Sequence, residues 1–335
     1  MNDIRILDCT LRDGGHVNNS KFGKENIDKI VAALVSGDTD IIELGFLKNG
    51  IFSEEESSCS KIEETRKNII SKNEKQKYSV MIRPDWYDIS QLTENDGTIE
   101  YIRFAFYLKD ADLTQEYCHI VRELGYVPIL NPVNILGYTD QELDRLMEAI
   151  NKIHPYGATI VDTFGSMEIE SLNKIYELYE SNLPKDMVIG LHLHENMTSA
   201  YLLAQYFLSI KQKARDVIID GSLLGMGRIP GNLCIEELMC YMNESQGKKY
   251  QLEPILKCIS ECIEPIKEQI PWGYNPAYFF SGKYKVHRSY AEYYLNDAKL
   301  PLDQIYELIK HMKDDPHRLT YSKEYAKENM ERNHK

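Results

Sequence analysis

Short apolar segments alternate with amphipathic segments eight times along residues 1–245, and this alternation restricts the fold more than any other feature of the sequence. The apolar segments are rich in Ile and Val, which is typical of parallel strands buried on both faces. The segments between them carry apolar residues at helical spacing. The predicted strands are residues 4–7, 41–44, 79–82, 101–106, 127–130, 159–161, 188–192 and 217–220. The clearest predicted helices are residues 24–35, 141–153, 169–179 and 200–210.

This pattern predicts a closed (β/α)8 TIM barrel, because eight strand-helix units in about 245 residues match the usual size of that fold. A doubly wound open sheet is the alternative topology. It is less favoured because the chemically distinctive segments after the first and seventh strands would then have to meet across a sheet, rather than around a ring. After residue 245 the alternation stops, and residues 246–335 are predicted to form a helical extension that packs on the barrel.

The composition argues against two classes of partner. A formal net charge of −13 leaves little basis for an electropositive surface, so neither nucleic acid nor an anionic membrane is expected as the main partner. The seven cysteines are scattered without a CxxC pair, which predicts reduced thiols rather than disulfides or a structural zinc site. No signal peptide and no apolar run of membrane-spanning length is recognisable, so a soluble, cytoplasmic protein is expected.

Residues that can bind a metal ion follow the first and the seventh predicted strands. Segment 8–16 contains Arg12, Asp13 and His16 around a glycine pair, and the seventh strand leads into His192 and His194. Side chains two apart on an extended segment point the same way, so both imidazoles can face one ion. Strand ends of this kind form the catalytic face of a TIM barrel. Two histidines and one carboxylate leave coordination positions open for substrate, and the sequence therefore predicts a catalytic metal site.

The segments TLRDGGH (residues 10–16), HLH (192–194) and GMGRIPGN (225–232) together resemble the pyruvate-dependent aldolase branch of the DRE-TIM metallolyases, typified by 4-hydroxy-2-oxovalerate aldolase. The resemblance covers the whole barrel in order. It implies that Asp13, His192 and His194 are the metal ligands, and that Asn232 is a further ligand or supports one. It favours Mn²⁺, whereas Mg²⁺, Zn²⁺ and Co²⁺ are also compatible with these side chains.

The same resemblance assigns roles in the reaction. Arg12 would lie beside the substrate oxygens, where a permanent cation stabilises developing negative charge. His16 would accept the proton of a 4-hydroxyl group, although a histidine that only caps the turn is the simpler alternative. Segment 273–279 is similar to a tyrosine-bearing stretch that supplies a partner for the catalytic histidine. Tyr278 aligns best with that partner and Tyr274 is the fallback, with ordinary aromatic packing as the alternative.

The remaining candidates are residues that follow other strands. Glu43, at the end of the second strand, is expected to orient Arg12. Arg228 departs from the small residues common at that point in the family and is a candidate to reach an anionic substrate. The other predicted substrate contacts at the barrel mouth are Asn131, Asp162, Thr163 and Tyr274.

The sequence therefore predicts an aldolase that cleaves or forms a 4-hydroxy-2-oxo acid through a pyruvate enolate. A Claisen-type synthase or lyase acting on an acyl-CoA is one alternative, against which the absence of an LRDGEQ pattern counts. A barrel that only binds a metabolite is the other. The expected partners are pyruvate and an aldehyde of undetermined structure, and a homodimer is left open. The segment after Gly282 departs from the pattern of aldolases that join an aldehyde dehydrogenase, so that partner is not predicted.

Overall fold

Eight parallel strands in sequential order form a closed barrel, in a computed structural model that describes residues 3–69 and 75–333. The first strand pairs with both the second and the eighth, which closes the ring. The strands are β1 (Ile4–Asp8), β2 (Ile41–Leu47), β3 (Lys77–Ile82), β4 (Tyr101–Phe106), β5 (Val127–Pro132), β6 (Gly157–Val161), β7 (Val188–His192) and β8 (Val217–Gly221). The predicted TIM barrel is confirmed.

Each predicted strand is present, and β2 differs most because it runs three residues past the predicted end. Gly45 makes this extension fit, since its φ of 145° lies in a region that favours glycine and a Cβ there would collide with the carbonyl oxygen of Ser57. The pairing of β2 with β3 shifts register between Glu43 and Phe46. The hydrophobic pattern does not reveal this irregularity, so it was not predicted.

An α-helix follows every strand except β3, after which the chain forms only a short 3₁₀ turn, Ile89–Gln91. The helices of the barrel and its rim are α1 (Gly15–Asn18), α2 (Lys24–Ser36), α3 (Ile62–Arg66), α4 (Ala111–Glu123), α5 (Asp140–Ile153), α6 (Ile169–Asn182), α7 (Ala200–Ile210) and α8 (Ile235–Ser245). Helix α5 shows why they form where they do. A capping box between Thr139 and Glu142 starts it, and Leu146 and Ile150 on its apolar face are fully buried.

The chain after residue 245 is helical, as predicted. Its helices are α9 (Leu252–Cys258), α10 (Glu264–Gln269), α11 (Pro276–Lys283), α12 (Arg288–Glu292), α13 (Leu302–His311) and α14 (Lys323–Asn333). The part that contains α9 and α10 shares the core of the barrel, through residues such as Ile255 and Ile263. Helices α11 to α14 form a second core, rich in tyrosine, around Tyr290 and Tyr294.

The second core sits against the loops that follow β6, β7 and β8, which is the face where a TIM barrel carries its chemistry. Asn196, after β7, donates to the carbonyl of Tyr278 at 3.4 Å. Arg288 donates to the carbonyl of Ile229, after β8, at 3.0 Å. The extension therefore covers part of the barrel mouth. Across the described ranges of the chain, no helix has the length and apolar character needed to cross a bilayer.

Candidate active site

The turn after β1 is shaped by a buried carboxylate. Asp8 accepts hydrogen bonds from the backbone N–H and the hydroxyl of Thr10, at 3.0 and 2.8 Å. The hydroxyl oxygen of Thr10 in turn accepts from the backbone N–H of Leu223, at 2.8 Å. These bonds anchor a π-helical turn over Thr10–Gly14, whose residues are all buried. As a result Arg12 and Asp13 are held at the mouth of the barrel rather than on a mobile loop.

Asp13, His192 and His194 form a group in which one potential ligand atom from each residue lies within 4.8 Å of the others. Their separation in sequence is large, and the closed barrel brings the ends of β1 and β7 to the same mouth. All three side chains are buried. A carboxylate and two imidazoles at this spacing suit a divalent transition-metal ion with open coordination positions.

Hydrogen bonds orient both imidazoles toward this common point. Nδ1 of His192 lies 3.0 Å from the carboxylate of Asp220, and Nδ1 of His194 lies 2.7 Å from the backbone carbonyl of Asp162. An acceptor at Nδ1 fixes the proton there, so each Nε2 keeps its lone pair for an ion. This pattern of support is typical of histidines that ligate metals.

Unpartnered polar atoms provide a direct test of whether an ion fits. Oδ2 of Asp13, Nε2 of His194 and Oδ1 of Asn232 are buried, and none of them has a hydrogen-bond partner among the residues that the structure describes. The first two atoms face each other at 3.6 Å. Metal–ligand bonds of about 2.1 Å reach both atoms from a point between them. A buried polar atom without a partner destabilises the folded protein, and a bound ion would supply that partner. Asp13, His194 and Asn232 therefore fit a divalent metal ion.

The protonation states of these residues also suit a metal. Burial is the largest single effect on Asp13 and disfavours its charged form, but Arg12, His194 and His16 together outweigh burial, and the pKa of Asp13 lies well below its ordinary value. Burial lowers the pKa of His192, against the opposing effect of Asp220. The carboxylate is therefore ionised and the imidazole neutral, which are the forms that coordinate cations.

Arg12 belongs to a buried ionic network that reaches across the barrel. Its Nε donates to Glu43 and its Nη1 to Asp13, each at 2.6 Å. Glu43 also accepts from Arg103 at 3.2 Å, and Arg103 in turn pairs with Asp220, the partner of His192. Burial opposes the charge on Arg12, but Glu43 and Asp13 more than compensate and raise its pKa. Glu43 thus lies behind Arg12, in contact with it as expected.

A cavity of about 100 Å³ opens beside this network. Of the predicted site residues, its lining contains Arg12, Asp13, His16, Asn131, Thr163, His192, His194 and Arg228. His16 stands at the edge, with 27 % of its side chain exposed and Nε2 at 3.8 Å from Oδ1 of Asp13. Burial against the cavity wall lowers the pKa of His16, an effect that Asp13 opposes and the guanidinium of Arg228 reinforces. His16 is therefore a neutral imidazole at neutral pH.

Five predicted residues do not line this cavity: Glu43, which lies behind Arg12, and also Asn232, Asp162, Tyr274 and Tyr278. The carboxylate of Asp162 instead accepts from the backbone N–H groups of Ser166 and Met167, at 2.7 and 3.1 Å, so its contribution is the carbonyl that holds His194. Tyr278 is 3 % exposed, because its side chain packs in the second core. Tyr274 is 63 % exposed. Both tyrosines line a separate cavity next to Trp272, and the structure does not support Tyr278 as the partner of His16.

Several cavity residues were missed by reading the sequence. Arg83 and Trp86 follow β3, and Phe46 extends β2, where its ring contacts that of His16 at 5.7 Å between centroids. His287 belongs to the extension and also lines the cavity. No periodic signal marks it, because it precedes a short helix outside the barrel repeat. The buried charges Arg103 and Asp220 had a signal, since a charged residue inside an apolar strand requires a partner.

The comparison with protein families identifies the group to which this site belongs. A sequence profile of the HMGL-like family matches residues 3–260, which is most of the chain. The chain belongs to the HMGL-like family. The resemblance to the DRE-TIM metallolyases of the aldolase branch, inferred from the three motifs, is confirmed.

Individual relatives of this HMGL-like chain are distant. It is similar to the 4-hydroxy-2-oxovalerate aldolase of Geobacillus genomosp. 3, with 28% identity over 72% of this chain and 70% of that protein. The enzyme of the same name from Marinomonas sp. (strain MWYL1) is 26% identical over 80% of each chain. The N-terminal domain of a putative aldolase from Bacteroides vulgatus has the same fold, with a TM-score of 0.71, 23% identity and coverage of 87% of this chain and 96% of that one.

Proposed function

We propose that this chain is a divalent-metal-dependent aldolase that cleaves or forms 4-hydroxy-2-oxo acids through a pyruvate enolate. One observation carries the proposal. Ligand atoms of Asp13, His192 and His194 lie within 4.8 Å of one another beside the fixed guanidinium of Arg12, and those of Asp13 and His194 are buried without a partner among the described residues. The names of the relatives from Geobacillus and Marinomonas support the choice of reaction. We propose that residues 1–245 form the catalytic domain and that residues 246–335 cover its active site.

Asp13, His192 and His194 would hold the ion, with Oδ1 of Asn232 as an additional donor. A divalent cation bound there supplies positive charge that polarises a 2-oxo acid. We propose Mn²⁺, and Mg²⁺, Zn²⁺ or Co²⁺ would serve the same chemistry. Asp220 acts on the site through His192, because its hydrogen bond to Nδ1 keeps Nε2 available.

Arg12 is proposed to bind the oxygen on which negative charge develops. Its Nε and Nη1 atoms are engaged by Glu43 and Asp13. Its Nη2 makes no hydrogen bond to any residue in the described ranges 3–69 and 75–333, and Arg12 lines the cavity. The two engaged nitrogens fix the plane of the guanidinium, so Nη2 can donate to substrate without reorganisation.

His16 is proposed to take the proton of the 4-hydroxyl group during cleavage. As that O–H bond breaks, C4 becomes an aldehyde carbonyl, the C3–C4 bond breaks, and its electron pair passes into the enolate of pyruvate. Protonation of C3 then completes pyruvate. His16 is neutral before the step and can accept a proton, and Asp13 at 3.8 Å favours the imidazolium that results.

Cleavage of racemic 4-hydroxy-2-oxovalerate tests the proposal, with pyruvate release measured for metal-free protein and for protein loaded with Mn²⁺. We expect cleavage only by the loaded protein, together with exchange of the methyl protons of pyruvate in D₂O. Thiol release from acetyl-CoA with several 2-oxo acids tests the Claisen alternative. Loaded protein that neither cleaves the substrate nor exchanges the protons of pyruvate contradicts the proposal and favours a barrel that only binds a metabolite.

A further inference from the structure

Among the arginines that line the cavity, one lacks a carboxylate partner within the described residues. The other two are neutralised, Arg12 by Glu43 and Asp13, and Arg83 by a bidentate pair with Asp85 at 2.9 and 2.6 Å. Arg228 also lines the cavity. Within the part of the chain that the structure describes, it makes no ion pair or hydrogen bond, and its Nε atom is buried without a partner.

The loop that carries Arg228 is fixed on both sides. Before it, the carbonyl of Met226 accepts from the side chain of Asn232 at 3.2 Å. After it, the carbonyl of Ile229 accepts from Arg288 of the extension at 3.0 Å. Trp272 also donates to the carbonyl of Leu224 at 3.0 Å. Because these bonds hold the backbone on both sides of Arg228, its side chain joins the cavity lining from a defined position.

The extension makes this end of the cavity still more electropositive. The pKa of Arg288 lies below its ordinary value. Burial is the larger cause, and the nearby positive charge of Arg228 is the second. The carboxylate facing Arg288 is Glu292, which pairs with it at 3.4 Å. His287 lines the cavity and accepts at Nδ1 from the backbone N–H of Ser289, which leaves Nε2 as the N–H donor of its neutral form. Arg228 and His287 therefore both offer donors.

The charges of the proposed reaction leave Arg228 without a role in the pyruvate half. The metal ion and Arg12 would offset the negative charge on the carboxylate and keto oxygens of the pyruvate half. On the basis of the proposed function, we infer that the aldehyde half of the substrate carries a carboxylate group, and that Arg228 and His287 together bind it. The substrate class is then a 4-hydroxy-2-oxo dicarboxylic acid. Breaking its C3–C4 bond, with loss of the 4-hydroxyl proton and protonation of C3, gives pyruvate and an aldehyde acid.

Aldol addition to pyruvate tests this inference. Loaded wild-type protein is assayed with glyoxylate and succinic semialdehyde, and with the neutral aldehydes propanal and pentanal. We expect kcat/KM for the better acid to exceed that for the better neutral aldehyde by about tenfold or more, because a hydrogen-bonded ion pair contributes at least one decade. The Arg228→Met variant should lose this preference and Arg228→Lys should keep part of it.

The Arg145→Met variant is the matched control, since it removes the same charge from the exposed face of α5 and should keep the wild-type preference. Equal use of acids and neutral aldehydes by wild-type protein overturns the inference, as does a preference that survives Arg228→Met. A preference for glyceraldehyde 3-phosphate over both acids overturns the assignment to a carboxylate.

A binding measurement separates this inference from the proposed function. 2-Oxoheptanedioate and 2-oxoheptanoate have equal chain lengths, lack the 4-hydroxyl and cannot be cleaved. By calorimetry, we expect the dicarboxylate to bind wild-type protein about tenfold more tightly, and Arg228→Met to bind both alike. Proton exchange of pyruvate in D₂O reports on the enolate chemistry alone. Exchange without discrimination between the two ligands refutes only the inference, whereas absence of exchange refutes the proposed function and the inference with it.

Discussion

Replacing Glu43 with Gln tests whether the buried ionic network stabilises the barrel as well as the site. Glu43 is fully buried and accepts from two arginines, Arg12 at 2.6 Å and Arg103 at 3.2 Å. Glutamine has nearly the same shape, but it has one acceptor oxygen and no charge, so it leaves two buried guanidiniums with less negative charge than they need. Removing one partner of a buried pair costs about 3–5 kcal/mol. Arg12 keeps Asp13 and Arg103 keeps Asp220, so we expect the lower limit, about 3 kcal/mol.

The assay is urea denaturation of metal-free protein, followed by circular dichroism, so that metal affinity does not enter the result. The matched control is Glu168→Gln, which makes the same chemical change in an exposed pair with Lys283 and should cost less than about 1 kcal/mol. In Mn²⁺-loaded protein, E43Q should also slow cleavage more than it weakens pyruvate binding, because Arg12 is no longer held in position. A free energy of unfolding for E43Q equal to that of the Glu168 control would refute this reasoning.

Three further predictions concern single residues. His16→Ala should slow cleavage of 4-hydroxy-2-oxovalerate far more than proton exchange of pyruvate, and equal loss of both rates would argue against His16 as the acceptor of the hydroxyl proton. Asp220→Asn should weaken Mn²⁺ binding about 10–100-fold, measured by calorimetry, because His192 loses its charged support; unchanged affinity would show that the support is dispensable. Gly45→Ala should lower the thermal midpoint, since its Cβ meets the carbonyl of Ser57 at a φ of 145°; a midpoint equal to that of wild type would contradict the close approach.

The two halves of the metal site show how far local sequence can predict a site. Asp13 follows β1, His192 ends β7 and His194 comes just after it, and any closed parallel barrel brings the ends of its strands to one mouth. Spacing of two within an extended segment then orients both imidazoles. The candidate ligands were therefore predictable without knowing the packing. Which group supports each imidazole, Asp220 for His192 and the carbonyl of Asp162 for His194, was not predictable.

Hydrophobic periodicity along the chain was sufficient to predict the eight strands and the helices α2, α5, α6 and α7, because burial of an apolar face is decided within each segment. The count of eight units, and the two motifs that had to meet, then indicated the closed barrel. The position of the extension depended on the tertiary structure. The packing of the tyrosine-rich core turned Tyr278 inward and brought His287 to the cavity, and nothing in the local pattern of either residue specifies that outcome. The same holds for Arg228. Its sequence neighbours identify a loop, but only the folded chain shows that every other arginine of the cavity has a carboxylate partner and Arg228 has none among the described residues.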